Sequence, residues 1–158
     1  MNDTFLADCM VGRLCTWIRI IGADCAYIPE KGRTLKTAAA MAKAQGRIFL
    51  TRDSGVEKLA APPGYLVFRS QKWREQLKSA METYGLEVKR EWIFSRCLLC
   101  NAALLVISRD EGENSAPPLT RAAQEKYYKC PSCGKIYWRG THVGAVLREL
   151  RESGIPLR

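Results

Sequence analysis

The stretch TFLADCMVGRLCTWIRIIG, residues 4–22, decides the fold of this chain. It opens as a short apolar strand, Thr4 to Ala7, and stops at a carboxylate, Asp8. The chain then turns through Gly12 into a helix. Val11, Leu14, Ile18 and Ile21 recur at i, i+3, i+7 and i+10, one apolar face of a 3.6-residue period. Trp17 widens that face, and Gly22 stands where a left-handed C-terminal cap favours glycine. An acid at the carboxyl end of a first strand is where open α/β sheets place their chemistry. Aspartate is also a favoured N-cap residue. On this segment alone both readings of Asp8 stay open.

Working outward, Asp24 to Ile28 reads as a second strand, ended by Pro29 and Lys31-Gly32. Thr34 caps a helix over Leu35 to Gln45 with an alanine-rich stripe, and Gly46 ends it. Arg47 to Thr51 is a third strand that delivers Asp53, a second carboxylate just past a strand end. A short helical turn over Ser54 to Leu59 and a turn at Pro62-Pro63-Gly64 follow. Tyr65 to Phe68 is a continuous apolar run, as a buried parallel strand requires. Trp73, Leu77, Met81 and Tyr84 then mark a helix capped by Gly85.

Four alternations of strand and helix in about 90 residues predict an α/β fold, a mostly parallel sheet flanked by helices with right-handed crossovers. In such a sheet Asp8 and Asp53 share the carboxyl-terminal edge. Glu30 projects toward the same edge, and Glu57 lies one helical turn beyond Asp53. Asp24 begins its strand and belongs to the opposite edge, a structural position. The expected domains are an α/β core over residues 1–91 and a small zinc ribbon with a closing helix over 92–158.

The chain has 158 residues, 47% hydrophobic and 26% charged, an ordinary globular composition. No apolar run approaches the ~20 residues of a membrane span, so no membrane partner is expected. Met1-Asn2-Asp3-Thr4 carries no basic region followed by an apolar one, so the expected location is cytoplasmic. The net charge is +9, and the last 32 residues hold six basic and two acidic side chains. Such an excess suggests a polyanion, most simply nucleic acid.

Seven cysteines, an odd number, argue against a disulfide framework. Cys9, Cys15 and Cys25 read as small buried hydrophobes. Cys97-Leu98-Leu99-Cys100 and Cys130-Pro131-Ser132-Cys133 are two Cys-x-x-Cys pairs. One tight turn presents both thiolates of a pair, and two such turns complete a tetrahedral Zn²⁺ site, closed and therefore structural. The long separation is taken up by a polar, proline-bearing loop over Arg109 to Glu125. A final strand, Ile136 to Trp138, precedes a helix capped by Thr141 with Val143, Val146, Leu147 and Leu150 on one face.

Carboxylates converging at a sheet edge in a basic protein suit Mg²⁺ or Mn²⁺, hard cations that prefer oxygen ligands. Held against a phosphodiester, such ions orient water and stabilise a leaving oxygen. No G-x-G-x-x-G run or lysine-bearing phosphate loop is present. The single histidine, His142, lies in the tail, which argues against a Ser/His/Asp arrangement.

Phe5-Leu6-Ala7-Asp8 with Gly12-Arg13-Leu14, Trp17-Ile18-Arg19 and Gly22-Ala23-Asp24 resembles the opening of the PIN-like ribonuclease family named for the C-terminal RNase domain of the Mut-seven exonuclease. Gly46 to Asp53 resembles its second signature. Arg96 to Asn101, Cys130 to Trp138 and Gly140-Thr141-His142 resemble its zinc-ribbon tail. The resemblance spans nearly the whole chain. It implies a PIN-like core fused to a zinc ribbon, and metal-dependent RNA cleavage with Asp8 and Asp53 as ligands. It also flags Asp24 as a family position. Where the family carries acids at the start of the second helix, this chain has Lys31-Gly32-Arg33-Thr34, with Glu30 nearby.

The expected function is thus a metal-dependent ribonuclease acting on RNA. Asp8 and Asp53 hold Mg²⁺ or Mn²⁺, with Glu30 and Glu57 as further acids, and Cys97, Cys100, Cys130 and Cys133 hold zinc. Arg13, Arg19 and Arg52 are candidate phosphate contacts. Tyr137, Trp138, Arg139 and His142 are candidate base and backbone contacts, with packing as the competing role for Trp138. A non-catalytic RNA-binding module with vestigial acids is the alternative. A protein-interaction adaptor is a third reading, and it requires neither RNA binding nor cleavage.

Overall fold

Four short strands, β1 (Thr4–Ala7), β2 (Asp24–Tyr27), β3 (Ile48–Thr51) and β4 (Tyr65–Val67), form an all-parallel sheet in the order β2-β1-β3-β4. This is seen in a computed structural model that describes residues 3–29, 34–59, 64–115 and 126–157. Parallel neighbours need crossovers, and helices supply them. The register sets Phe5 opposite Ile48 and Ala7 opposite Leu50. β1 and β3 therefore end side by side, and the Asp8 amide donates to the Leu50 carbonyl at 3.2 Å.

Side chains alternate across the sheet, so each strand feeds two cores. On one face Leu6 and Phe49 pack with Ile28, Val56 and the alanine stripe Ala38, Ala39 and Ala42 of α2 (Leu35–Ala44). Small side chains let that helix approach the sheet closely. Thr34 caps it, accepting from the Thr37 amide at 3.3 Å. On the other face Phe5, Cys25 and Leu50 are fully buried. α1 (Gly12–Ile20) and α3 (Trp73–Tyr84) cover this face. The Phe5 and Tyr84 rings meet edge-on at 5.5 Å, and Trp17 stacks on Trp73 at 4.0 Å. The Asp24 carboxylate pairs with Arg47 at the start of its strand, the structural role expected of it.

The described chain divides into two units, Met1–Arg19 with Ala23–Glu87, and Ile20–Gly22 with Val88–Arg158. In the second unit β5 (Leu105–Ile107), β6 (Tyr127–Lys129) and β7 (Ile136–Trp138) form an antiparallel sheet in the order β5-β6-β7. Among the described residues no helix is long and apolar enough to cross a membrane.

Three expectations are corrected. Arg109 to Ser115 is not loop but a helix, α4 (Arg109–Ser115). Ser108 Oγ accepts from the Glu111 amide at 3.3 Å, and Arg109 pairs with Glu113 one turn on. The remainder of the expected loop lies outside the described residues. Thr141 makes no side-chain cap to the last helix, α5 (His142–Glu152), because its own backbone is already helical. Cys9 is exposed, whereas Cys15 and Cys25 are buried as expected.

Helix α4 lacks an apolar period because its buried contact is a glycine. A Cβ on Gly112 would lie 2.1 Å from Cγ of the fully buried Tyr127. Helix propensity favours alanine over glycine by ~1 kcal/mol. Gly112→Ala is nonetheless expected to destabilise the fold by about 1–3 kcal/mol and so lower the denaturation midpoint, because overpacking outweighs propensity. A raised midpoint in chemical denaturation would mean that α4 does not pack on Tyr127.

Candidate functional site

The adjacent ends of β1 and β3 build the acidic edge. Asp8 leaves β1 in extended backbone and its Oδ1 accepts from the Met10 amide at 2.9 Å, capping a 3₁₀ turn over Cys9–Val11. Asp53 repeats the arrangement after β3. Its Oδ1 accepts from the Gly55 amide at 2.8 Å at the start of a 3₁₀ turn over Ser54–Lys58. The capping reading of these acids is therefore correct, and each acid uses Oδ1 for it. Thr51, fully buried at the end of β3, joins the two. Its hydroxyl donates to Asp8 Oδ2 and accepts from the Asp53 amide at 3.0 Å.

Both acids line one cleft of about 140 Å³, walled by Cys9, Met10, Ile28, Pro29, Thr34, Leu35 and Ala38. Asp8 is 9% exposed. Burial pushes its carboxyl above the usual aspartate value. The hydrogen bonds from Thr51 and Met10 pull against that, and the neighbouring Asp53 charge adds to the rise. A desolvated carboxylate beside a second one is electrostatically unfavourable by itself and is relieved by a cation. The donor set is all oxygen, the chemistry of a hard divalent ion. Thr51 was not singled out from the sequence as a site residue. Its signal was present, a hydroxyl in the same Thr51-Arg52-Asp53 run.

The other candidates are dispersed. Glu30 lies outside the described residues, as do Lys31, Gly32 and Arg33. Glu57 does not line the acidic cleft. It sits with Arg52, Ser54 and Arg69 along an open groove beside β4. Arg52 Nε is buried there with no partner among the described residues. Arg13 is exposed, 5.7 Å from the Trp73 ring. Arg19 is 7% exposed and donates to the Cys25 carbonyl at 2.7 Å. It is a core residue rather than a phosphate contact, because helix α1 turns it toward β2.

The second unit holds the cysteine cluster. The sulfurs of Cys97, Cys100, Cys130 and Cys133 all lie within 4.8 Å of one another. Among the described residues they are the group of three or more side chains able to hold a metal ion. The two knuckles are built alike. The Asn101 amide donates to the Cys97 carbonyl at 2.9 Å, and the Gly134 amide to the Cys130 carbonyl at 3.0 Å. Asn101 and Gly134, each one residue past a pair, both adopt positive φ, 68° and 72°. The Cys97 and Cys133 sulfurs are 3.7 Å apart, close to the ~3.8 Å edge of a tetrahedron with Zn–S near 2.3 Å. The cluster and its antiparallel strands fit a zinc ribbon.

Burial pushes the Cys97 thiol up. Hydrogen bonds from the Tyr137 hydroxyl, at 3.1 Å, and from the Cys100 and Leu99 amides outweigh it and bring it to about 6. Burial raises Cys130 to about 12, with its thiol neighbours Cys100 and Cys133 adding to the rise. A divalent metal ion facing all four sulfurs would favour the thiolate at each of them. Tyr137 thereby serves the cluster through its hydroxyl, while Trp138 is the last residue of β7 and Arg139 follows it. His142 is exposed at the start of α5.

No solved structure matches this chain. Among curated proteins, the human protein "Exonuclease mut-7 homolog" is 25% identical over an alignment covering 93% of this chain. The chain spans about a quarter of that relative's length, 25%. The family model described as the Mut7-C RNAse domain matches residues 3–150. With the parallel sheet, the paired acids and the cysteine cluster all falling inside that match, the chain belongs to the Mut7-C RNAse domain family.

Proposed function

We propose that this protein is a metal-dependent ribonuclease that hydrolyses RNA phosphodiester bonds at the Asp8–Asp53 edge. One observation carries the reading: two carboxylates emerge from neighbouring parallel strands into one cleft, tied through a single buried hydroxyl. Family membership and the exonuclease relative support nuclease chemistry in general. The net charge of +9 supports a polyanionic substrate.

Asp8 and Asp53 would hold Mg²⁺ or Mn²⁺. When bound, such an ion supplies charge stabilisation and orientation for phosphodiester hydrolysis. The chain's own contribution is positioning. The caps on Met10 and Gly55 fix both carboxylates, and Thr51 sets the torsion of Asp8. The apolar wall of Ile28, Leu35 and Ala38 limits water around them. Arg13 and Arg52 are the basic side chains proposed to meet phosphate.

Both acids also satisfy backbone amides, which favours a second reading, an RNA-binding protein whose acids only cap turns. Incubation of labelled single-stranded RNA with the zinc-loaded protein separates the two. With Mn²⁺ the nuclease cleaves, and Asp8→Asn or Asp53→Asn lowers turnover by about a hundredfold or more while salt-dependent binding persists. Thr51→Val, which removes the shared hydroxyl, is expected to cost roughly 10–100-fold in activity. Equal turnover in all four proteins, or none in any, contradicts the nuclease.

The raised Asp8 carboxyl sets the pH dependence. Metal binding needs the carboxylate, so activity falls as pH drops through a value above the ordinary 3.8 of aspartate. The stability consequence has the opposite sense. A raised folded-state value favours the protonated acid, so its stabilisation is present at low pH and lost as pH rises through that value. At neutral pH Asp8→Asn is therefore expected to leave the unfolding midpoint unchanged or higher although activity is lost. A lowered midpoint would mean that the Asp8 carboxylate is structural.

We also assign zinc to the four cysteines. Purified protein is expected to carry one zinc per chain, and its removal by chelator to unfold the second unit, as for other structural zinc sites. Cys100→Ser is expected to lower both zinc content and melting temperature. A zinc-free preparation with an unchanged melting curve contradicts the assignment.

A further inference from the structure

The second unit contains a cavity of about 400 Å³ that the acidic edge does not use. That volume falls in the range of small-ligand pockets, ~300–1,000 Å³. Its walls are mostly carbon, with Tyr128 and Tyr137, cross-strand partners on one face of the sheet, as its aromatic residues there and Val146 as an aliphatic one. Cations attend the rings: Arg139 lies 5.3 Å from Tyr128 and Lys135 lies 5.7 Å from Tyr137. Arg139 is a wall of the cavity, held by its Nη2 bond to the Glu91 carbonyl at 2.7 Å. Its Nε is buried and has no acceptor among the described residues.

We infer that this cavity receives a single unstacked nucleobase from a single-stranded RNA. A base has two apolar faces and a polar rim. The aromatic walls match the faces, and the Arg139 guanidinium, as part of the wall, offers N–H donors to acceptors on the rim. Base–aromatic stacking is tolerant of base identity and combines with cations that follow the backbone. The six basic and two acidic side chains of residues 127–158 supply that setting. An apolar peptide side chain would fill the volume but give the Arg139 guanidinium no acceptor and leave the surrounding positive charge unanswered. The inference rests on RNA being the substrate, and it adds a base subsite within the second unit.

The test uses the full, zinc-loaded chain in the Asp8→Asn form, so that RNA is bound without being consumed. Its affinity is measured for a short single-stranded RNA and for a series in which each position in turn is abasic. One abasic position is expected to weaken binding about tenfold. Ala145→Phe, which fills the cavity from an exposed position on α5, is expected to bind intact and abasic RNA alike, with zinc content and unfolding midpoint retained. Arg139→Lys keeps the charge but removes the planar guanidinium, and is expected to lose the discrimination in the same way. Equal affinity for intact and abasic RNA at every position overturns the inference. So does discrimination that survives in both variants, or a free mononucleotide that binds as tightly as the oligonucleotide. Cleavage by the Asp8 protein is scored separately. Discrimination without cleavage upholds the subsite and sinks the nuclease, whereas cleavage without discrimination does the reverse.

Discussion

The pairing of β1 with β3 is the constraint on which the site depends. Parallel strands in register end at the same level, and here Ala7 stands opposite Leu50. The residues that follow are Asp8 and Thr51, and the Thr51 hydroxyl bridges from the Asp8 carboxylate to the Asp53 amide. A slip of one residue would turn Phe5 and Leu6 to the wrong faces and lose both hydrophobic layers. The core thus fixes the acids. Alanines on α2 and the rings of Phe5, Tyr84, Trp17 and Trp73 hold the sheet from its two sides. The energy that keeps the carboxylates together comes from apolar burial far larger than the repulsion between them.

The two halves of the chain meet the same problem, charge concentration, in different ways. At the sheet edge, backbone amides and one threonine hydroxyl stabilise Asp8 while burial opposes its ionisation. In the cysteine cluster, amides and the Tyr137 hydroxyl favour the Cys97 thiolate while burial works against ionisation of Cys130. In both places the donor atoms converge, oxygen in one and sulfur in the other. Hard and soft ligand sets of this kind select different metals. The closed sulfur set suits a structural ion, and the cleft at the acids leaves room for a substrate group.

Much of this was legible in the sequence, and the parts that were not have physical reasons. The period of Val11, Leu14 and Ile18 and the terminal glycines fixed α1, and strand–helix alternation gave the parallel sheet. Strand neighbours follow from that alternation only as an expectation, and the observed order places β1 beside β3. The cysteine spacing announced the cluster because covalent geometry is local. Helix α4 was hidden because its buried residue, Gly112, reads as a breaker, and its contact, Tyr127, lies distant in sequence. Arg19 looked like a surface charge, yet a 3.6-residue period puts it on the face of the buried Cys15, four positions earlier, and its head group reaches the Cys25 carbonyl. Thr51 stands in the same run as Asp53, yet its reach across to Asp8 depends on strand pairing that the run does not show.

Mn²⁺ titration of the zinc-loaded protein, followed by electron paramagnetic resonance, tests the central claim most directly, because it asks whether the two aspartates share an ion independently of any RNA. The account predicts a Mn²⁺ site present in the wild-type chain and absent in both Asp8→Asn and Asp53→Asn, with zinc content unchanged in all three. Mn²⁺ bound equally by the three proteins, or by none of them, would contradict it.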